Sequence, residues 1–110
     1  MTDATFNVLN TLSRFTQGFN DGPKDLVQAG EGQEFWLHDG PALRNLKELK
    51  HALDNITEEQ FAYHVTDSKN DFAAWVRGVL QDADCADELD RCKTILSTRR
   101  VLIKFLRNYK

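Results

Sequence analysis

The stretch Thr57–Leu80, TEEQFAYHVTDSKNDFAAWVRGVL, decides the fold of this chain. Thr57-Glu58-Glu59-Gln60 has the pattern of a capping box, with two acids in the first turn where the helix dipole favours them. It predicts a short helix over about 58–65 that buries Phe61 and Val65. Ser68-Lys69-Asn70-Asp71 is a second box-like signal. Behind it, Phe72, Trp75, Val76, Val79 and Leu80 recur at helical spacing and form a buried stripe. The two helices meet at a corner. His64 falls near the end of the first and Asp71 near the start of the second, each where the macrodipole favours its charge. The link Thr66–Asn70 is short enough for a His64–Asp71 hydrogen bond. Ser68 and Asn70 are natural caps, so every residue of the corner has a structural role and no nucleophile is left over.

Outward from this corner the helical pattern continues. Asn45, with Glu48 three residues on, opens a helix carrying Leu46, Leu49, Leu53 and Ile56. Asp82 or Asp84 caps a further helix carrying Cys85, Leu89, Cys92 and Leu96. The last segment carries Val101, Leu102, Phe105 and Leu106. It either continues that helix or restarts at Ser97-Thr98. Phe35-Trp36-Leu37 is a short apolar run that ends in the turn signal Asp39-Gly40-Pro41. A lone strand has no obvious partner, so an extended segment packed on helices is expected. Residues 3–19 read as an amphipathic helix with Val8, Leu9, Leu12, Phe15 and Phe19 on one stripe. Residues 20–33 hold three of the six glycines and read as a linker or ordered loop. The expected fold is therefore all-α: a small irregular bundle of five to six helices, with a core domain over 34–110.

At 110 residues, 41% hydrophobic and 28% charged, the composition is that of a globular domain. No apolar run approaches the roughly 20 residues that span a bilayer, and no secretory signal pattern is present. These features predict a cytoplasmic protein without a membrane partner. Cys85 and Cys92 are seven apart, which on one helix means about 10 Å along one face. A disulfide needs Cα atoms within about 7 Å, so free core thiols in a reducing compartment are expected.

The chemistry is sparse. The histidines and cysteines lack recognised zinc spacings, and no metal or other cofactor is expected. There is no nucleophile elbow and no glycine-rich phosphate loop. Asp82 and Asp84 precede Cys85 and disfavour a thiolate. No catalytic residue is assigned. The charge, in contrast, is strongly segregated. Residues 1–90 hold all seventeen acids against seven bases, a balance of −10, while residues 91–110 hold seven bases and no acid. Such a pole suits an anionic partner. Arg99, Arg100, Lys104 and Arg107 are candidate phosphate contacts, although the acidic remainder would repel nucleic acid. A protein partner, or a second copy, fits both poles.

Phe35-Trp36, Asp39-Gly40-Pro41, Leu43 through Leu49, and above all His64-Val65, Asn70-Asp71-Phe72 and Trp75-Val76 resemble a family of small bacterial and archaeal domains of unknown function. The resemblance covers about half the chain. It implies a prokaryotic helical accessory or interaction domain and brings no activity with it. The residues matching His64, Asn70, Asp71, Phe72 and Trp75 form its signature.

Three readings follow. The first is a non-enzymatic interaction module, self-associating or with a protein partner, displaying an aromatic patch drawn from Phe35, Trp36, Phe72 and Trp75. The second is anion binding through the basic C-terminal segment. The third is a small ligand-binding or catalytic site around His64 and Asp71. Candidate binding residues are Trp36, His38, Asp39, His64, Asn70, Asp71 and Trp75.

Overall fold

The computed structural model describes residues 24–110. The amphipathic stripe expected over residues 3–19 lies outside the described residues. Among the described residues, five helices and one two-stranded antiparallel sheet make an all-α bundle. The order is β1 (Phe35–Trp36), β2 (Ala42–Leu43), α1 (Leu46–Asn55), α2 (Glu58–His64), α3 (Asp71–Gly78), α4 (Ala83–Leu89) and α5 (Ile95–Leu106).

Each helix begins where a short polar side chain satisfies an orphan amide. Asn45, Thr57, Asn70, Asp82 and Thr94 accept from the backbone N–H three residues on. At Thr57 and Thr94 the third residue bonds back to complete the box. Glu48 does not close a box on Asn45; its carboxylate accepts from the Arg44 amide instead. α3 packs on α4, α4 on α5, and α1 on α5. The core they enclose centres on Leu49, Leu53, Phe72, Val76, Leu89 and Leu102, all closed to solvent.

Two expectations are corrected. The segment at Phe35–Leu37 does have a partner: Phe35 faces Leu43 and Trp36 faces Ala42 in a tight hairpin. The Asp39-Gly40-Pro41 signal is the turn of that hairpin. Gly40 N–H donates to the Leu37 carbonyl at 2.9 Å, and Asp39 takes the left-handed region at φ 53°. A Cβ on Gly40 would come to 2.9 Å from the end of the Leu37 side chain, so any larger residue there requires that side chain to shift. The second correction concerns the last helices. Leu89 ends α4, and Cys92 lies in the following turn, where its amide donates to the Leu89 carbonyl. Thr94 then caps α5, so the restart comes earlier than Ser97-Thr98. The positions 85, 89, 92 and 96 keep helical spacing across a real break, which is why they read as one helix.

The described part of the 20–33 stretch lies against the bundle. Ala29 is buried and donates to the Arg44 carbonyl. Lys24 pairs in parallel with Tyr109, through the bonds Lys24 N–H to Asn108 O and Lys110 N–H to Lys24 O, both 2.8 Å. The Tyr109 hydroxyl donates to buried Asp82 at 2.6 Å, linking this seam to the cap of α4.

Both cysteines are free and buried. Burial, then the nearby Asp82 and Glu88 carboxylates, pushes the Cys85 thiol from 9.0 up to about 12. A raised folded-state value favours the neutral thiol, so its contribution is complete below the unfolded value and lost as pH rises toward 12. Alkylation at pH 8 should therefore leave Cys85 unmodified in the native protein and label it in urea; rapid native labelling would contradict its placement.

Candidate functional site

The corner between α2 and α3 is built as the sequence suggests, and its geometry extends further. His64 Nδ1 lies 3.0 Å from Asp71 Oδ2, with the imidazole side chain 5% exposed. The other ring nitrogen, Nε2, accepts from the backbone N–H of His38 at 3.0 Å. A backbone amide can only donate, so Nε2 carries no proton and Nδ1 donates to Asp71. Lys69 Nζ reaches the same carboxylate oxygen at 3.0 Å. The ring is packed between Phe35 at 4.8 Å and Phe72 at 5.3 Å. One helical turn before His64, Gln60 donates to the His38 carbonyl at 2.9 Å. α2 therefore grips both polar groups of His38 and holds the hairpin turn by its backbone.

This arrangement leaves His64 without a ring nitrogen to move a substrate proton. A proton added at Nε2 would meet the His38 N–H and break the contact. Asn70 is likewise consumed: its carbonyl oxygen caps α3 at Ala73, and its amide donates to the Leu89 carbonyl at 2.8 Å, tying α3 to the end of α4. Trp75 is buried and its indole N–H donates to the Gln33 carbonyl at 2.8 Å. Among the described residues no group of three or more His, Cys, Asp or Glu side chains could hold a metal ion.

The candidate site residues thus divide. His64 and Asp71 form one internal pair, while Asn70 and Trp75 are held separately by the Leu89 and Gln33 carbonyls. Trp36, His38 and Asp39 lie on the outward side of the hairpin. Strand alternation buries Phe35 and Leu37 and turns Trp36 and His38 away from the core. Of the four aromatics expected to make a patch, Phe35, Phe72 and Trp75 are buried, and Trp36 is 70% exposed. Tyr63 joins it from α2: its ring stacks on that of His38 at 4.0 Å and 3°, and it is itself exposed. Tyr63 was legible in the sequence, since it falls two residues from both Phe61 and Val65 and so faces away from the core. An open groove of about 590 Å³ runs beside the hairpin, lined by Pro41, Ala42, Lys47, His51 and Ala52 and not by His64 or Asp71.

Three of the seven basic residues in 91–110 are paired with carboxylates of the chain itself. Arg99 donates to Asp54 at 3.1 Å, and Lys104 reaches Glu88 at 2.9 Å. Lys50, and with it Arg99, holds the Asp54 carboxyl below its ordinary value. Lys93 caps the Thr66 carbonyl, and Lys110 pairs with Asp25. Arg100 and Arg107 are exposed. No helix among the described residues is long and apolar enough to cross a membrane. Compared with known proteins, the chain matches no family model, no curated protein and no solved structure.

Proposed function

We propose that this chain is a non-enzymatic protein-interaction module of the cytoplasm, whose contact face is the outward aromatic surface formed by Trp36, His38 and Tyr63. The observation that carries the reading is the exposure of Trp36 on a braced hairpin. A tryptophan 70% open to water buries little of its surface on folding, while its neighbours Phe35 and Leu37 are buried. Large aromatics on rigid supports are the usual anchors of protein interfaces. The corner supports the same reading, because it spends His64 and Asp71 on holding the hairpin and Asn70 on tying α3 to α4, rather than on chemistry. Two buried free thiols fit a reducing compartment. The internal pairing of Arg99 and Lys104 weakens the alternative of a phosphate-binding helix.

The test places a photo-crosslinking phenylalanine analogue at position 36 and, as a control, at exposed Ala74. The reading expects protein adducts from position 36 and none from 74. Equal yields from both positions would sink it. Trp36→Ala should leave the melting temperature nearly unchanged, with stability within about 0.5 kcal/mol. The same variant should weaken partner binding about 30-fold or more, the effect of losing an anchor worth roughly 2 kcal/mol.

A further inference from the structure

α5 carries a second outward surface that its packing does not use. Leu96, Arg100, Ile103 and Arg107 follow at spacings of four, three and four, which puts them on one helix face. Leu96 is 53% and Ile103 39% exposed, and both arginines face solvent. The flanking cations behave differently. Arg99 and Lys104, on either side of the stripe, are bound to Asp54 and Glu88. The helix therefore presents an apolar stripe interrupted by two arginines that have no carboxylate partner among the described residues. A phosphate backbone would use the arginines and gain nothing from Leu96 and Ile103. A protein face that is apolar in the middle and acidic at the rim would use all four.

The chain itself presents such a face. Trp36 and Tyr63 form its apolar part. Glu58 and Glu59 occupy the exposed first turn of α2, with Glu59 four residues before Tyr63 on the same side. Asp39, next to His38, has its side chain 82% exposed. Two cations border this face among the described residues, and both have carboxylate partners: Lys69, over the Tyr63 ring, is held by Asp71, and Arg44 lies 3.9 Å from Glu34. We infer that the α5 stripe of one copy receives the Trp36–Tyr63 face of a second copy, with Arg100 and Arg107 paired to the second copy's Glu58 and Glu59. This rests on the reading of the Trp36 face given above and names its partner. The two surfaces differ, so the contact is head-to-tail: each copy keeps one face open and further copies can add.

The experiment is sedimentation velocity of the purified full chain from ~10 µM to ~1 mM, the range of a weak specific contact. The weight-average mass should climb with concentration beyond twice 12.6 kDa. The climb should shrink as salt rises from ~0.05 to ~0.5 M, because the arginine–carboxylate pairs are screened. Two variants block one face each: Leu96→Asp with Ile103→Asp on α5, and Trp36→Asp on the hairpin. Each alone should sediment as a monomer with an unchanged circular dichroism spectrum and melting curve. Mixed in equal amounts, they should form a species of two copies and nothing larger, because each supplies the face the other lacks. A wild-type chain that stays monomeric throughout, single variants that still assemble, or a mixture that stays monomeric would each overturn the inference. Crosslinks from position 36 to a different protein, with the purified chain monomeric, would overturn it while leaving the Trp36 face as the interaction surface.

Discussion

Replacing Phe72 with alanine should lower the unfolding free energy by about 4 kcal/mol, the middle of the range for a buried aromatic. Phe72 is fully buried and joins three elements at once. Its ring lies 5.1 Å from Phe35 of the hairpin and 6.0 Å from Phe61 of α2, with His64 at 5.3 Å. Truncation removes the transfer energy of the ring and leaves a cavity that these neighbours, themselves fixed, are poorly placed to fill. A domain of this size holds roughly 5–15 kcal/mol in total, so the variant should stand near the edge of unfolding at 37 °C. Phe72→Leu keeps most of the volume and should cost about 1–1.5 kcal/mol. Urea titration followed by circular dichroism reads both. A loss under about 1 kcal/mol for the alanine variant would mean that the hairpin, α2 and α3 do not share one core.

The second large effect is expected at His64. His64→Leu keeps the bulk between Phe35 and Phe72 but removes both hydrogen-bonding nitrogens. The His38 amide is left without an acceptor in a part-buried position, and Asp71 keeps only Lys69. An unsatisfied buried donor costs about 1–3 kcal/mol, and the lost charge-assisted bond to Asp71 adds to it, so a total near 3 kcal/mol is expected. His64→Gln places a carbonyl oxygen where it can accept from the His38 amide and should recover part of the loss. Hydrogen exchange gives the local readout. The His38 amide should lose protection in the leucine variant and regain some with glutamine, while amides in α5 follow global stability alone. A leucine variant as stable as the parent, with His38 still protected, would refute the clamp.

Much of this was legible because capping and periodicity are local. Asn45, Thr57 and Asp82 announce their helices within four residues, and the link between α2 and α3 is so short that the His64–Asp71 contact follows from the spacing. The hairpin partner was not legible. Ala42–Leu43 is too short to show a period, and it stands directly against the cap of α1, so the helix signal masks it. Nor was the grip of His64 and Gln60 on His38. A backbone amide is present at nearly every position, and nothing in a side-chain pattern says which one a buried imidazole will select. The end of α4 was obscured by core residues that keep their spacing through a turn, because burial follows direction in space and not helical continuity. In the charge pattern the basic pole was plain, but its partners Asp54 and Glu88 lie 45 and 16 residues away from Arg99 and Lys104.

The seam between Lys24 and Tyr109 also sets a cost of folding that a covalent link would remove. The backbone of residue 110 is hydrogen-bonded to that of residue 24, two positions far apart in the chain. Bringing them together costs the unfolded chain a loop-closure entropy that grows only slowly with the length of the loop. A crosslink between these two positions would close that loop in the unfolded state as well, and so leave less entropy to be lost on folding.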